Sequence, residues 1–160
     1  MTHVAVLGLA LLIGVVAGLR AFTAPAVASW AAFLGWIDLD DRWLHWVGHP
    51  ATVTVLTVFA VGELITDKLP NTPSRRIAPQ FGARLITGGF AGAIIGAGFH
   101  YLWGSLGAGI AGAVLGTLGG AELRTRLVAA TGGRDWPIAL LEDVVAVGGG
   151  FLIAYLVGML

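Results

Sequence analysis

The run Met1 to Leu19 contains no Asp, Glu, Lys or Arg, and Arg20 ends it. Ala21 to Ile37 is uncharged again, up to a polar break at Asp38, Asp40, Asp41 and Arg42. Trp43 to Gly62 is uncharged and closes on Glu63, Asp67 and Lys68. Leu85 to Ala121 is uncharged throughout, and Glu122 to Asp135 is polar. A helix crossing a bilayer core needs about 20 apolar residues, so Leu85–Ala121 holds two helices. The pattern predicts six spans, at 3–19, 21–37, 49–68, 83–102, 106–127 and 136–158. The apolar runs are continuous rather than alternating, which speaks against a membrane barrel. The fold class is therefore all-α, a polytopic membrane helix bundle, with residues 1–160 forming one integral membrane domain.

The breaks between spans have their own chemistry. Pro70–Gly82 carries three prolines and a basic pair and reads as a turn rather than a helix. Trp103-Gly104-Ser105 is the expected hairpin between the fourth and fifth spans. Thr131-Gly132-Gly133 should end the fifth helix. Asp135 is placed to N-cap the sixth, with Pro137 in its first turn. The second span is short, contains Thr23, Pro25 and Ser29, and follows Arg20 without a loop, so it is expected to be re-entrant or broken. Three spans on each side of loop 68–84 would give halves of opposite orientation, an inverted repeat. Its sequence basis is the likeness of Gly18-Leu19-Arg20-Ala21-Phe22-Thr23 to Gly82-Ala83-Arg84-Leu85-Ile86-Thr87. Met-Thr-His at the start lacks the positive region of a cleavable signal peptide.

Composition narrows the class further. Hydrophobic residues make up 57% of the 160, charged residues 11%, and nine Lys+Arg balance nine Asp+Glu. A soluble domain carries roughly 25% charged residues, so a lone soluble globule and a disordered chain are both excluded. Zero cysteines exclude disulfides, thiolate metal sites and a thiol nucleophile. The balanced charge gives no reason to expect a nucleic-acid partner. The partner that composition does imply is the lipid bilayer.

The charges are also sorted. Lys68, Arg75, Arg76 and Arg84 fall in one connection, and Arg124, Arg126 and Arg134 in another. With six spans these share a side, and Arg20 joins them. The positive-inside rule then makes that side cytoplasmic and puts both termini outside, in a bacterial cytoplasmic (inner) membrane. Trp36, Trp43, Trp46, Tyr101 and Trp103 would form an outer aromatic belt, with Trp136 an inner anchor.

The 25 glycines recur at four-residue spacing: Gly14 and Gly18, then Gly88, Gly92 and Gly96, then Gly112, Gly116 and Gly120. That spacing puts each set on one helix face, where small residues let backbones approach. The faces should pack helices within the chain or in a homo-oligomer, expected as a dimer, or else wall a solute path. Gly148-Gly149-Gly150 points to local unwinding or very close contact inside the sixth span.

Against this background the expensive residues stand out. Arg20, Glu63, Asp67, Glu142 and Asp143 lie within or near span ends, with Arg84 and Lys68 close by. Glu63 and Asp67 share a helix face. Such groups should face protein or water and find partners. One reading is a network of ion pairs that pins helix ends, with Lys68 snorkelling. The other is a site for an ion, a proton or a polar substrate. Its oxygens suit a hard cation, and Arg20 and Arg84 could grip a phosphate. Asp41, His45 and His49 are a further, weaker metal-ligand spacing. No cofactor motif and no catalytic motif is present.

Three motifs in order carry a resemblance: Gly18-Leu19-Arg20-Ala21-Phe22-Thr23-x-Pro25; Glu63-Leu64-x-x-Asp67-Lys68-Leu69-Pro70 with Thr72-Pro73-Ser74-Arg75; and Leu141-Glu142-Asp143. Over nearly its whole length the chain resembles a family of small bacterial membrane proteins, domain of unknown function 4126. The resemblance implies a multi-span bacterial membrane protein and no particular activity, substrate or cofactor. Three functions fit the residues. The first is a small transporter or channel-like protein moving an ion or small polar solute past the acidic/Arg cluster. The second is a membrane enzyme acting on a lipid phosphate with Mg²⁺. The third is a structural or assembly subunit docked through its glycine faces.

Overall fold

The computed structural model describes residues 2–39, 43–68 and 77–160. Among them are six α-helices and one 3-10 turn, and no strand: α1 (Thr2–Leu19), α2 (Thr23–Phe33), the turn His45–Gly48, α3 (Pro50–Thr66), α4 (Ala78–Gly98), α5 (Leu102–Ala130) and α6 (Asp135–Gly158). The helices α4, α5 and α6 are each long and apolar enough to cross a membrane; α1 and α3 are apolar but shorter. Elements expected near Asp40, Asp41 and Arg42, and in Leu69–Arg76, lie outside the described residues.

The bundle is organised around α5, which packs extensively on both α1 and α4, while α1 and α4 also pack on each other. Glycine makes this three-way contact possible. A Cβ on Gly14 would overlap the Gly109 carbonyl, and one on Gly109 would overlap the Gly88 carbonyl. Gly112 and Gly116 lie against the Leu11 and Val15 backbones of α1. Gly92 and Gly96 admit Ser105, and Gly18 admits Ala113 and Thr117. The glycine rows thus pack helices of one chain. Gly120 is half-buried and lines a cleft between α5 and α6. Gly148-Gly149-Gly150 does not unwind: α6 is continuous. A Cβ on Gly148 or Gly149 would meet nothing within 4 Å, and one on Gly150 would lie 3.2 Å from Val27.

The second span is a half-length helix. The eleven residues of α2 give ~16 Å against a core of ~30 Å. Pro25 sets where it begins. A proline within a continuous helix would lack the N–H bonded four residues back and would clash there. The helix of α1 therefore stops at Leu19, and Pro25 sits in the first turn of α2. At the other end Gly35 takes φ 74°, and the Trp36 N–H returns to the Ala31 carbonyl at 2.8 Å, a left-handed helix stop. Thr23 to Ser29 and Ala31 are buried. The 3-10 turn folds in beside α2, where the Ser29 hydroxyl donates to the Val47 carbonyl at 2.5 Å.

Four boundaries differ from the sequence expectation. Pro79 sits in the first turn of α4, which opens at Ala78 inside the segment expected to be turn; a proline in the first turn loses no hydrogen bond. The turn between α4 and α5 is Phe99–Tyr101, with His100 at φ 59°, not Trp103–Ser105. The α5 helix runs to Ala130, three residues past the expected span, and stops at Thr131 before Gly132 and Gly133, where that triplet was expected to end it. Asp135 is the first residue of α6 rather than its N-cap, which is Arg134; the Asp135 carboxylate accepts from Arg124.

The two six-residue stretches that suggested an inverted repeat occupy unlike places, one at the α1–α2 joint and one inside α4. Their likeness therefore does not relate the two halves. The start of α1 and the end of α6 do share an end of the bundle, shown by His3 against Tyr101 (5.1 Å between ring centres) and Trp36 against Tyr155 (5.9 Å). The α1–α2 joint, the end of α3 and the α5–α6 turn lie at the other. At the first end Trp43, Trp46, Tyr101 and Trp103 are exposed, as is Trp136 at the second, as an interfacial belt requires.

Candidate charged site at a broken helix

The joint between α1 and α2 leaves backbone groups without helical partners on both sides. Two ionised side chains from elsewhere meet them. Glu63 of α3 accepts from the Ala21 N–H at 2.7 Å with one oxygen and from the Phe22 N–H at 2.8 Å with the other. Arg84 of α4 donates to the Gly18 carbonyl at 2.9 Å and the Leu19 carbonyl at 2.8 Å. An anion thus sits at a helix start and a cation at a helix end, the arrangement the helix dipole favours. Arg84 and Glu63 are themselves 3.6 Å apart.

Next to this joint lies a second set of pairs. Arg20, with no exposed surface, pairs with Asp67, with Asp143 at 2.6 Å and, more loosely, with Glu142 at 3.9 Å. Lys68 also reaches Asp143, at 2.6 Å, and donates to the Leu64 carbonyl at 2.8 Å. Its side chain, 35% exposed, sits at the rim of the site. Arg124 bridges Glu142 at 3.1 Å and Asp135 at 2.7 Å. Beside that bridge a cleft of about 100 Å³ runs between α5 and α6, lined by Leu19, Leu127, Leu141 and Glu142 among others.

All six residues singled out from the sequence (Arg20, Glu63, Asp67, Arg84, Glu142 and Asp143) therefore meet at one end of the bundle. They are arranged as alternating charges in contact, not as an open ring of acids. Two residues of the network, Arg124 and Asp135, were not singled out as site residues; the expected fifth span contains Arg124 near its end, and Asp135 was placed at the start of the sixth. Arg124 lies near the end of α5, where it faces the start of α6 and meets Asp135 and Glu142. The other histidine spacing resolves differently. His49 caps α3, its Nδ1 accepting from the Ala51 N–H at 3.2 Å. Asp41 lies outside the described residues, and among those described no group of three His, Cys, Asp or Glu is placed to hold a metal.

A family model described as Domain of unknown function (DUF4126) matches residues 7–157. The chain belongs to this family. As a DUF4126 member it is an all-helical membrane protein, and the match spans α1 to α6, every charged residue of the site included. No curated protein and no solved structure matches it.

The cap at the joint makes a first prediction for this DUF4126 protein. Glu63→Ala is expected to lower stability by about 1–2 kcal/mol, the loss of a helix cap, measured by thermal unfolding in detergent. Glu63→Gln keeps one carbonyl acceptor and should lose less.

Proposed function

We propose that this protein is a small membrane transporter or channel-like protein that moves an ion or small polar solute past the charged site at the α1–α2 joint. The observation that carries this reading is the joint itself. A half-length helix starts at the inner end of the bundle, and its start and the preceding helix's end are held by charged side chains of other helices. Helix ends that face charged groups inside a bundle form ion and solute sites in secondary transporters. Charged residues gathered inside a bundle support the same reading, because stability does not call for them. Replacing buried ion pairs by apolar residues is often neutral or stabilising, and intramembrane charges mark ion and proton paths.

In this mechanism Glu63, Asp67, Glu142 and Asp143 bind a cation or relay protons. Arg20 and Arg84 hold the local charge near neutral between transits. The basic connections lie at the end opposite both termini, so the positive-inside rule turns the site toward the cytoplasm of a bacterial cell, with both termini outside. The test is ion flux in proteoliposomes. Glu142→Gln and Asp143→Asn are each expected to cut flux by about tenfold or more, equivalent to ~1.4 kcal/mol. Flux equal to wild type in both variants overturns the assignment.

A further inference from the structure

The attachment of α3 to the bundle differs along its length. Its apolar part packs on α2 and the 3-10 turn, with only Val53 and Ala60 buried. Trp30 donates to the Thr57 hydroxyl there at 3.0 Å, and Phe59 stacks on Phe22. Beyond Phe59 the attachments become ionic and fall within one stretch. Glu63 holds the Ala21 and Phe22 amides and Arg84, Asp67 holds Arg20, and Lys68 holds Asp143. The groups beneath are closed off: Arg20 is 0%, Thr23 3% and Asp143 8% exposed. Between the packed part and the ionic part stands Gly62. A Cβ there would meet nothing within 4 Å, so packing does not ask for glycine at this position. A glycine in a helix interior weakens the helix relative to alanine.

We propose that the end of α3, Glu63 to Lys68, is a gate over the charged site, hinged at Gly62. Opening would leave the α2–α3 packing in place. It would exchange the two amide hydrogen bonds of Glu63 and the ion pairs Glu63–Arg84, Asp67–Arg20 and Lys68–Asp143 for contacts with water, where separated charges are well solvated. The α2 amides, Arg20 and Asp143 would then be reachable from the inner end. Small movements about a few helix-terminal residues are a common form of such closure. The purpose of the gate rests on the transport reading, but its motion can be tested separately.

The chain has no cysteine, so Thr23→Cys, next to the Ala21 and Phe22 amides that Glu63 holds, creates a single buried thiol at the joint. Ala21→Cys, 4% exposed, is a second reporter should the first not fold. Maleimide labelling of the folded protein in proteoliposomes is expected to be slow but measurable, and complete in SDS. Adding Gly62→Ala should slow labelling about fivefold by stiffening the helix. Adding Gly148→Ala, equally unhindered in α6, should leave the rate unchanged. No labelling of the folded protein, or a rate that Gly62→Ala leaves unaltered, overturns the gate. Labelling that responds to Gly62→Ala in a protein showing no flux would keep the gate and overturn the transport reading.

Discussion

Gly109→Ala is expected to destabilise the protein although alanine is the better helix former. Alanine normally gains about 1 kcal/mol over glycine in a helix interior. At position 109 the added methyl would overlap the Gly88 carbonyl and press on the Gly92 backbone. Relief requires moving α4 away from α5, and α1 crosses at the same place through Gly14. Overpacking of this kind costs typically ~1–3 kcal/mol and occasionally more, and Gly109→Leu should leave no folded protein at all. The control is Gly148→Ala, which meets nothing within 4 Å and should be neutral or slightly stabilising. The measurement is the monodisperse fraction after detergent extraction, followed by its thermal unfolding. Equal stability of Gly109→Ala and Gly148→Ala would refute the three-helix crossing.

Arg20→Met is expected to be the most damaging change among the charged residues. It removes the one cation shared by Asp67 and Asp143 and leaves both carboxylates largely buried beside an apolar side chain. Breaking a buried pair from one side costs about 3–5 kcal/mol. Lys68 remains beside Asp143 and softens the loss there, whereas Asp67 keeps no comparable partner among the described residues. Arg20→Lys should fall between, because one ammonium cannot address two carboxylates with the reach of a planar guanidinium. Neutralising the acids as well, in Arg20→Met with Asp67→Asn and Asp143→Asn, should recover much of the stability. The order of unfolding temperatures across these variants is the test. A single Arg20→Met variant as stable as the wild type would show that the network holds nothing together.

The contrast between these two sites shows what could be read from the sequence. The glycine rows Gly88-Gly92-Gly96 and Gly112-Gly116 were visible from their spacing, but Gly109 was not. A single four-residue row describes a helix with one close neighbour. The central helix α5 has two, so it carries a second small face, Ser105, Gly109 and Ala113, offset from the first. The charged residues were visible for a different reason. In a chain with 11% charge, every acid or base near a span end is conspicuous, and lipid leaves such groups nowhere to go but inward. Arg124 escaped because it sits in a charged stretch with Glu122 and Arg126, and nothing local says which of these faces the start of α6.

The sequence by itself determined the membrane bundle, the helix order, the break before Pro25 and the set of charged residues that must be satisfied inside the protein. These follow from local quantities: run length, hydropathy, proline sterics and the cost of burying charge. The partners were decided only by the tertiary structure. It chose Glu63 for the start of α2, Arg84 for the end of α1, and Arg20 for both Asp67 and Asp143. Pairing depends on which helices become neighbours and at what height their side chains meet. That is fixed by the glycine contacts among α1, α4 and α5, many residues away in the chain. Cost told which groups needed a partner, and packing chose it.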